Sequence, residues 1–303
     1  MNGFPKNARV CFIGDSITHN NGFVSRVYDY YHQNLKERNV NIYNCGVGGG
    51  RVSTALPIME EDVLSHNPTH AVIMFGVNDS DNRYFGRERS SERYDLLVNA
   101  YEVFQANLRE MCRILREKNI EVILCTQAPY DEYQDCETKA WQGGFALMAG
   151  YAEAVRNIAR ELGLPVCDYH KHMSRAMQDE VLYNPDRVHP NEKGQFEMAK
   201  CFLKFQGYDI GEYKPIPEYL EKWREKVAIQ RNIWMAEKNI IWKFDLTVEE
   251  QIAAIKAYVE EFDGDEARAN FVELGKKYLK TKPMQKELYD EINYIMEVEL
   301  KKR

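Results

Sequence analysis

The chain has 303 residues and a formal net charge of −7 at neutral pH, with 44% hydrophobic and 29% charged residues. This is the composition of an ordinary globular protein with room for one sizeable α/β core and an appended segment. The negative charge argues against a nucleic-acid partner bound through its phosphates, and no apolar run approaches the ~20 residues that span a bilayer.

The N-terminal residues and the cysteines indicate the cellular compartment. Residues 1–6 contain no apolar stretch ahead of the first predicted strand, so we expect no secretory signal. Seven cysteines without close pairs form neither a disulfide framework nor a zinc pattern. We therefore expect a reducing, cytoplasmic location.

Five short apolar segments alternate with helical segments up to about residue 205. The predicted strands are residues 9–13, 40–44, 71–75, 121–126 and 165–168, and the predicted helices are 22–37, 53–65, 94–118, 143–162 and 191–205. Continuous Val, Ile, Leu and Phe runs between helices are typical of a parallel sheet covered on both faces. The sequence predicts a doubly wound α/β domain, in which ligands bind beyond the carboxyl ends of the strands.

The first predicted strand ends in Gly14 and then presents Asp15 and Ser16. Ser16 is a candidate nucleophile, which at neutral pH needs a base and a group that orients the base. The alternative is that Asp15 and Ser16 only cap the following helix, since both are good N-cap residues.

Polar and glycine-rich turns follow the second and third predicted strands. The turn at residues 44–51 lacks the order G-x-G-x-x-G, so its glycines fit a close backbone approach to an anion better than a dinucleotide site. A purely structural loop is the alternative. Asn78 follows the third strand and could donate to an oxyanion, or form an Asx-turn with its own backbone.

Two aromatic residues are candidate substrate contacts. Tyr84 lies in a polar loop at residues 80–95, and Trp141 follows the acidic loop after the fourth strand. Loops at such positions concentrate binding residues, although aromatic side chains more often pack against the core.

Histidines follow the fifth predicted strand. His170 and His172 have no cysteine or acidic ligand set at zinc spacing, so we expect no metal. His189 lies in a loop between two prolines, with Asp186 three residues before it. An imidazole base needs an acceptor on its second nitrogen, and this carboxylate can supply it.

Together these blocks resemble the SGNH (GDSL-type) hydrolase family over about residues 8–205. The matching pieces are Gly14-Asp15-Ser16-Ile17, the glycine-rich turn, Gly76-Val77-Asn78-Asp79 and Asp186-Arg187-Val188-His189-Pro190. The G-x-S-x-G elbow of α/β-hydrolases is absent, because Thr18 stands at the second glycine position.

The resemblance implies a flavodoxin-like sheet order and a serine mechanism without a cofactor. Ser16 would be the nucleophile, His189 the general base and Asp186 its orienting carboxylate. The oxyanion hole would comprise the backbone N–H groups of Ser16 and Gly49 and the side-chain amide of Asn78. Gly49 is chosen because a strand-end Asn stands five residues before it, and Gly48 is the second choice. Asp15 is a further substrate-binding candidate.

Residues 206–303 lie outside the resemblance and contain four predicted helices after Lys214-Pro215-Ile216-Pro217. The first of these helices bears Trp223, Trp234 and Trp242. We predict a helical extension that packs as a small subdomain, closes over the active site or joins two subunits.

We expect a serine esterase that acts on a small-molecule ester, with short acyl groups such as acetyl on a carbohydrate as the leading substrate. A lysophospholipase or thioesterase of the same family is the alternative enzyme. A non-catalytic binding protein on the same fold is the alternative outside enzymes.

Overall fold

The computed structural model of the chain describes residues 3–20, 22–80, 91–208 and 210. The strands are β1 (Arg9–Gly14), β2 (Asn41–Gly46), β3 (His70–Met74), β4 (Glu121–Cys125) and β5 (Val166–Cys167). The helices are α1 (Ser16–His19), α2 (Gly22–Asn34), α3 (Val52–Ala55), α4 (Met59–Asp62), α5 (Ser91–Glu117), α6 (Gly144–Leu162), α7 (Tyr169–Ala176) and α8 (Glu192–Phe205). Short 3₁₀ turns lie at Lys36–Arg38, Leu56–Ile58 and Leu64–His66. The predicted C-terminal helices lie outside the described residues.

The described strands form one sheet in the order β2-β1-β3-β4-β5, and each neighbouring pair is parallel. Helices cover both faces of this sheet. The predicted five-stranded α/β architecture with a flavodoxin-like strand order is confirmed.

Side chains that alternate along β1 explain the three layers. Cys11 and Ile13 belong to the apolar core that also contains residues of α3 to α6. Phe12 points to the opposite face, where its ring centroid lies 6.0 Å from that of Phe23 in α2 and 5.3 Å from that of Phe202 in α8. Burying each of these side chains stabilises the fold by about 1.5–3 kcal/mol.

One local prediction is wrong, and one helix was not predicted. The single helix predicted at 53–65 is divided into α3, a 3₁₀ turn, α4 and a second 3₁₀ turn. Pro57 lies in the first turn, and a proline lacks the N–H that a continuous helix needs. Helix α7 was not predicted; it begins where the Asp168 side chain accepts a hydrogen bond from the Lys171 N–H.

The strand order reverses at β1, because β2 lies on one side of it and β3 to β5 lie on the other. This reversal indicates where on the sheet a ligand binds. Gly14, the last residue of β1, pairs with Gly46 of β2 and with Met74 of β3. In open α/β sheets the crevice for a ligand forms beyond the carboxyl ends of strands at such a point. Across the described ranges, no helix is both long and apolar enough to cross a membrane.

Candidate active site

Ser16 is the first residue of α1, directly beyond β1. Asp15 is the N-cap of that helix, and its Oδ1 accepts a hydrogen bond from the Ile17 N–H at 2.9 Å. The Ser16 hydroxyl lies 2.7 Å from Nε2 of His189, which is 173 residues further along the chain. The cap and the hydroxyl–imidazole contact therefore coexist on neighbouring residues.

Asp186 holds both the backbone and the ring of His189. Its Oδ2 lies 2.8 Å from Nδ1 of the imidazole, while its Oδ1 accepts the N–H groups of Val188 at 3.0 Å and His189 at 2.9 Å. Partial burial by itself raises the pKa of Asp186, but these hydrogen bonds outweigh it and bring the pKa below its ordinary value. A carboxylate that stays ionised favours the tautomer with the proton on Nδ1, which leaves Nε2 to accept from the serine.

A side-chain hydrogen bond joins the glycine-rich turn to the segment that follows β3. The Asn78 side-chain amide donates to the Gly50 carbonyl at 3.0 Å. Gly49 has a φ of +71°, in the left-handed region that favours glycine, and a Cβ there would meet nothing within 4 Å. The constraint at Gly49 is therefore its backbone conformation rather than space.

Asn44 fixes the start of the same turn, a contact that the sequence did not reveal. Its Oδ1 accepts the Gly46 N–H at 2.9 Å, and its Nδ2 donates to the Thr18 carbonyl at 2.7 Å. A Cβ on Gly46 would collide with the backbone N of His19. The backbones of helix α1 and of the turn therefore lie in direct contact, and the hydrogen bonds of the Asn44 side chain join them.

The Ser16 hydroxyl contacts the His189 imidazole at 2.7 Å, and this imidazole contacts the Asp186 carboxylate at 2.8 Å. Such a chain of hydroxyl, imidazole and carboxylate activates serine in acyl transfer. Residues 12–195 match the model of the GDSL-like Lipase/Acylhydrolase family. The chain belongs to this family. It is a GDSL-type carboxylic ester hydrolase, and the resemblance stated from the sequence blocks is confirmed.

The alignments of this GDSL-type hydrolase with two relatives cover most of the length of each relative. An acetylxylan esterase of Geobacillus stearothermophilus is 25% identical over 226 residues, which are 66% of this chain and 94% of the relative. A Bacillus subtilis protein named uncharacterized lipoprotein YqeF is 26% identical over 204 residues, which are 60% of this chain and 80% of that protein.

Solved structures show the same fold. The structure of Axe2, an acetylxylan esterase from Geobacillus stearothermophilus, superposes with a TM-score of 0.58 at 21% identity, covering 71% of this chain and all of that one. BT4096, described as a gut microbial diltiazem-metabolizing enzyme, superposes with a TM-score of 0.62 at 24% identity over 69% of this chain. The match spans about half, 48%, of the BT4096 chain.

Behind the serine of the GDSL-type hydrolase lie two buried carboxyls, Asp15 and Asp79. Burial raises the pKa of Asp15 to about 7; Asp79 adds to the rise, and the Ile17 N–H and His189 oppose it. Burial likewise raises the pKa of Asp79 to about 6, although its Oδ1 accepts the Val52 N–H at 2.9 Å. Asp15 is 0% exposed, so the structure places this predicted substrate contact beneath the site, as a helix cap.

The two aromatic candidates have different outcomes. The Trp141 ring stacks on the Tyr130 ring, with 4.6 Å between the centroids and an interplanar angle of 5°. The backbone N–H of Trp141 donates to the Tyr130 hydroxyl at 2.9 Å. Trp141 also packs against the core, as the alternative from sequence proposed. Tyr84 lies outside the described residues.

The other histidines after β5 do not gather ligands. His172 pairs with Glu197 at 3.0 Å, and the N–H of His170 donates to the Thr126 hydroxyl at 2.8 Å. In the described part of the chain no group of three or more His, Cys, Asp or Glu side chains could hold a metal ion.

Arg187 is a residue of the site that sequence reasoning missed. It is 5% exposed and has a φ of +65°, although it is not glycine. Its Nε donates to the Thr138 carbonyl at 2.7 Å, and its Nη1 donates to the carbonyls of Asp131 at 3.1 Å and Glu132 at 3.3 Å. The guanidinium thus binds the loop after β4 to the turn that bears Asp186 and His189. A positive φ and a set of carbonyl partners leave no mark in a sequence.

Proposed function

We propose that the protein hydrolyses short-chain esters, acetyl esters of carbohydrates first among them, through an acyl-enzyme on Ser16. The observation behind the proposal is the continuous contact from Ser16 Oγ to His189 Nε2 at 2.7 Å and from His189 Nδ1 to Asp186 Oδ2 at 2.8 Å. Each group has the partner that its role requires.

In the first half-reaction Ser16 Oγ attacks the ester carbonyl carbon and its proton passes to His189 Nε2. The carbonyl oxygen becomes an oxyanion, which receives hydrogen bonds from the Ser16 and Gly49 N–H groups and the Asn78 amide. As this intermediate collapses, His189 gives its proton to the leaving oxygen, and the alcohol departs. Each oxyanion donor contributes roughly 10²–10³ to the rate in enzymes of this chemistry.

In the second half-reaction water attacks the acyl carbon, and His189 takes the proton of that water. Collapse of the second tetrahedral intermediate returns the proton to Ser16 Oγ and releases the carboxylic acid. Asp186 stays ionised throughout and stabilises the imidazolium. No step requires a metal or an organic cofactor.

The acetyl preference has separate support. The Geobacillus stearothermophilus relative, named an acetylxylan esterase, aligns over nearly its whole length. The loop at residues 80–95 is strongly polar in sequence, which suits a hydrophilic alcohol better than a long acyl chain.

We infer a domain boundary near residue 205, with a helical extension of unknown role after it. A cytoplasmic location stays a prediction: the seven cysteines are free thiols, while one relative is named a lipoprotein.

The test measures initial rates on p-nitrophenyl esters from acetate to decanoate. Wild type is compared with Ser16→Ala and His189→Ala, and with Ser53→Ala, which removes an exposed serine of α3, as the control. We expect the highest rate on acetate, loss of activity in the first two variants and full activity in the third. Activity that survives in Ser16→Ala would contradict the mechanism, and a maximum at long chains would favour a lysophospholipase or thioesterase.

A further inference from the structure

Three cysteines that are far apart in the sequence come together at the end of β5. Cys167, the last residue of β5, pairs with Cys125 of β4 in the register of the sheet. The Sγ atom of Cys167 lies 3.9 Å from the Sγ atom of Cys201 in α8. All three side chains are free thiols. Heavy atoms at this separation are in contact, so nothing lies between the sulfur atoms of Cys167 and Cys201.

The three thiols differ in their access to solvent. Cys125 and Cys167 are buried, whereas Cys201 is only half-buried. A dissolved oxidant therefore meets the sulfur of Cys201 first. Burial, together with the neighbouring thiols Cys125 and Cys201, raises the pKa of the Cys167 thiol well above its ordinary value. Because the thiolate is the reactive form of cysteine, Cys167 is protected from direct attack.

The other neighbouring thiols lack this access. Cys125 and Cys167 are both covered, and so are Cys11 of β1 and Cys45 of β2, whose thiols interact with each other. An oxidant in solution reaches neither of these pairs. Among the described residues, the contact between Cys201 and Cys167 is thus the one that combines a reachable sulfur with a second thiol behind it.

We propose that Cys201 and Cys167 are a reversible redox pair, in which Cys201 reacts with a peroxide and Cys167 then closes a disulfide. In the first step the Cys201 thiolate attacks one oxygen of hydrogen peroxide, and the O–O bond breaks. Hydroxide leaves and becomes water with the proton that the Cys201 thiol gave up. Cys201 is oxidised to a sulfenic acid, and the peroxide is reduced.

In the second step the Sγ atom of Cys167 attacks the sulfur of Cys201. The S–S bond forms, the S–O bond breaks, and the hydroxyl leaves as water with the proton of the Cys167 thiol. Two thiols and one peroxide thus give one disulfide and two water molecules. An S–S bond is about 2.05 Å long, so the sulfur atoms must approach by roughly 1.9 Å. A change of side-chain rotamer moves a sulfur atom farther than this.

The disulfide would enclose the segment that bears the proposed base. Cys167 and Cys201 are 34 residues apart, and both Asp186 and His189 lie between them in the chain. A cross-link stabilises a protein mainly by restricting its unfolded chain, and the effect grows with the length of the closed loop. Oxidation should therefore make this segment harder to unfold. The inference stands on the thiols alone and does not depend on the ester that the protein hydrolyses.

The experiment treats the full chain with hydrogen peroxide, alkylates the remaining thiols and maps cross-linked peptides by mass spectrometry without reduction. Thermal unfolding is followed by circular dichroism before and after treatment. Wild type is compared with Cys201→Ser, Cys167→Ala and Cys136→Ser. Cys136 is the matched control, because it is half-buried like Cys201 while its Sγ contacts carbonyls, those of Thr138 and Pro185.

We expect wild type and Cys136→Ser to yield the peptide pair joined at Cys167 and Cys201, and their Tm to rise by about 3 °C or more. Dithiothreitol should reverse both changes. Cys201→Ser should show neither change. In Cys167→Ala, the oxidation of Cys201 should stop at the sulfenic acid, which dimedone traps.

Two results would overturn the redox pair. One is a treated wild type in which Cys201 is unmodified, or is oxidised to a sulfenic or sulfinic acid, without a bond to Cys167. The other is a treated wild type whose disulfide joins Cys11 to Cys45, or Cys125 to Cys167, in place of the expected one.

Discussion

The Nε of Arg187 donates to the main-chain carbonyl of Thr138 at 2.7 Å, and this contact joins two loops that lie 49 residues apart in the chain. One loop bears Asp186 and His189, and the other follows β4. The backbone at Arg187 is left-handed, with a φ of +65°, which costs a non-glycine residue roughly 1–2 kcal/mol. The hydrogen bonds of the guanidinium offset that cost and hold the turn in place.

Two substitutions of Arg187 distinguish the effect of its side-chain hydrogen bonds from the effect of its left-handed backbone. Arg187→Gly accepts the left-handed φ but loses the three carbonyl contacts, so we expect kcat to fall at least about 10-fold because His189 is no longer held within reach of Ser16. Arg187→Ala loses the same contacts and keeps the strain, so it should be less stable than Arg187→Gly by about 1 kcal/mol. Urea unfolding and p-nitrophenyl acetate kinetics measure both effects.

The control for this prediction is the same pair of substitutions at Glu102, an exposed position in the middle of α5. In a helix alanine is more stable than glycine by about 1 kcal/mol, the reverse of the order expected at Arg187. An Arg187→Ala variant more stable than Arg187→Gly would show that the turn is not left-handed in solution.

Asp186→Asn tests the orienting carboxylate. The Asn oxygen can still accept the N–H groups of Val188 and His189, but an amide nitrogen facing Nδ1 favours the tautomer in which Nε2 holds the proton. We expect kcat to fall by about 10²–10⁴ with little change in the free energy of unfolding. Steady-state kinetics and urea unfolding test this, with Asp135→Asn in an exposed loop as the control. A kcat near that of wild type would remove Asp186 from the mechanism.

Asn78 and Asn44 contact the same glycine-rich turn and should differ in effect. Asn78→Ala removes a proposed oxyanion donor, so kcat should fall about 10²–10³ with a small change in KM. Asn44→Ala breaks two buried hydrogen bonds, so the main result should be a loss of about 1–3 kcal/mol in the free energy of unfolding. Kinetics and unfolding of both variants are compared, and a kcat of Asn78→Ala close to wild type would exclude this side chain from the oxyanion hole.

Asp15 should make stability depend on pH. Its pKa rises from 3.8 to about 7 in the folded protein, mainly because it is buried. The folded protein therefore binds this proton more tightly than the unfolded chain, so its contribution to the free energy of unfolding falls as the pH rises from about 4 to about 7, on the order of 4 kcal/mol in all.

Asp15→Asn keeps the Oδ1 acceptor for the Ile17 N–H and cannot ionise. We expect the variant to gain stability relative to wild type between pH 5 and pH 8, measured by urea unfolding at both values. Asp95→Asn, at an exposed position on α5, is the control. A stability difference between Asp15→Asn and wild type that stays constant over this range would contradict the prediction.

The sequence by itself determined the parallel α/β architecture and the blocks that form the site. Apolar runs alternating with amphipathic helices specify strand and helix locally, and polar residues at strand ends must share one edge of a parallel sheet. The prediction of a single helix at 53–65 was wrong because Pro57 interrupts it, and α7, which begins directly after its Asp168 N-cap, was not predicted.

Only the tertiary structure decided which groups touch. The Ser16–His189 contact spans 173 residues, the Trp141 ring turned out to stack on Tyr130, and the Asp15 carboxyl turned out to be covered from solvent. The same holds for the carbonyl partners of Arg187. Strand order and loop packing set these contacts, and both follow from the total burial of the core rather than from any local pattern of residues.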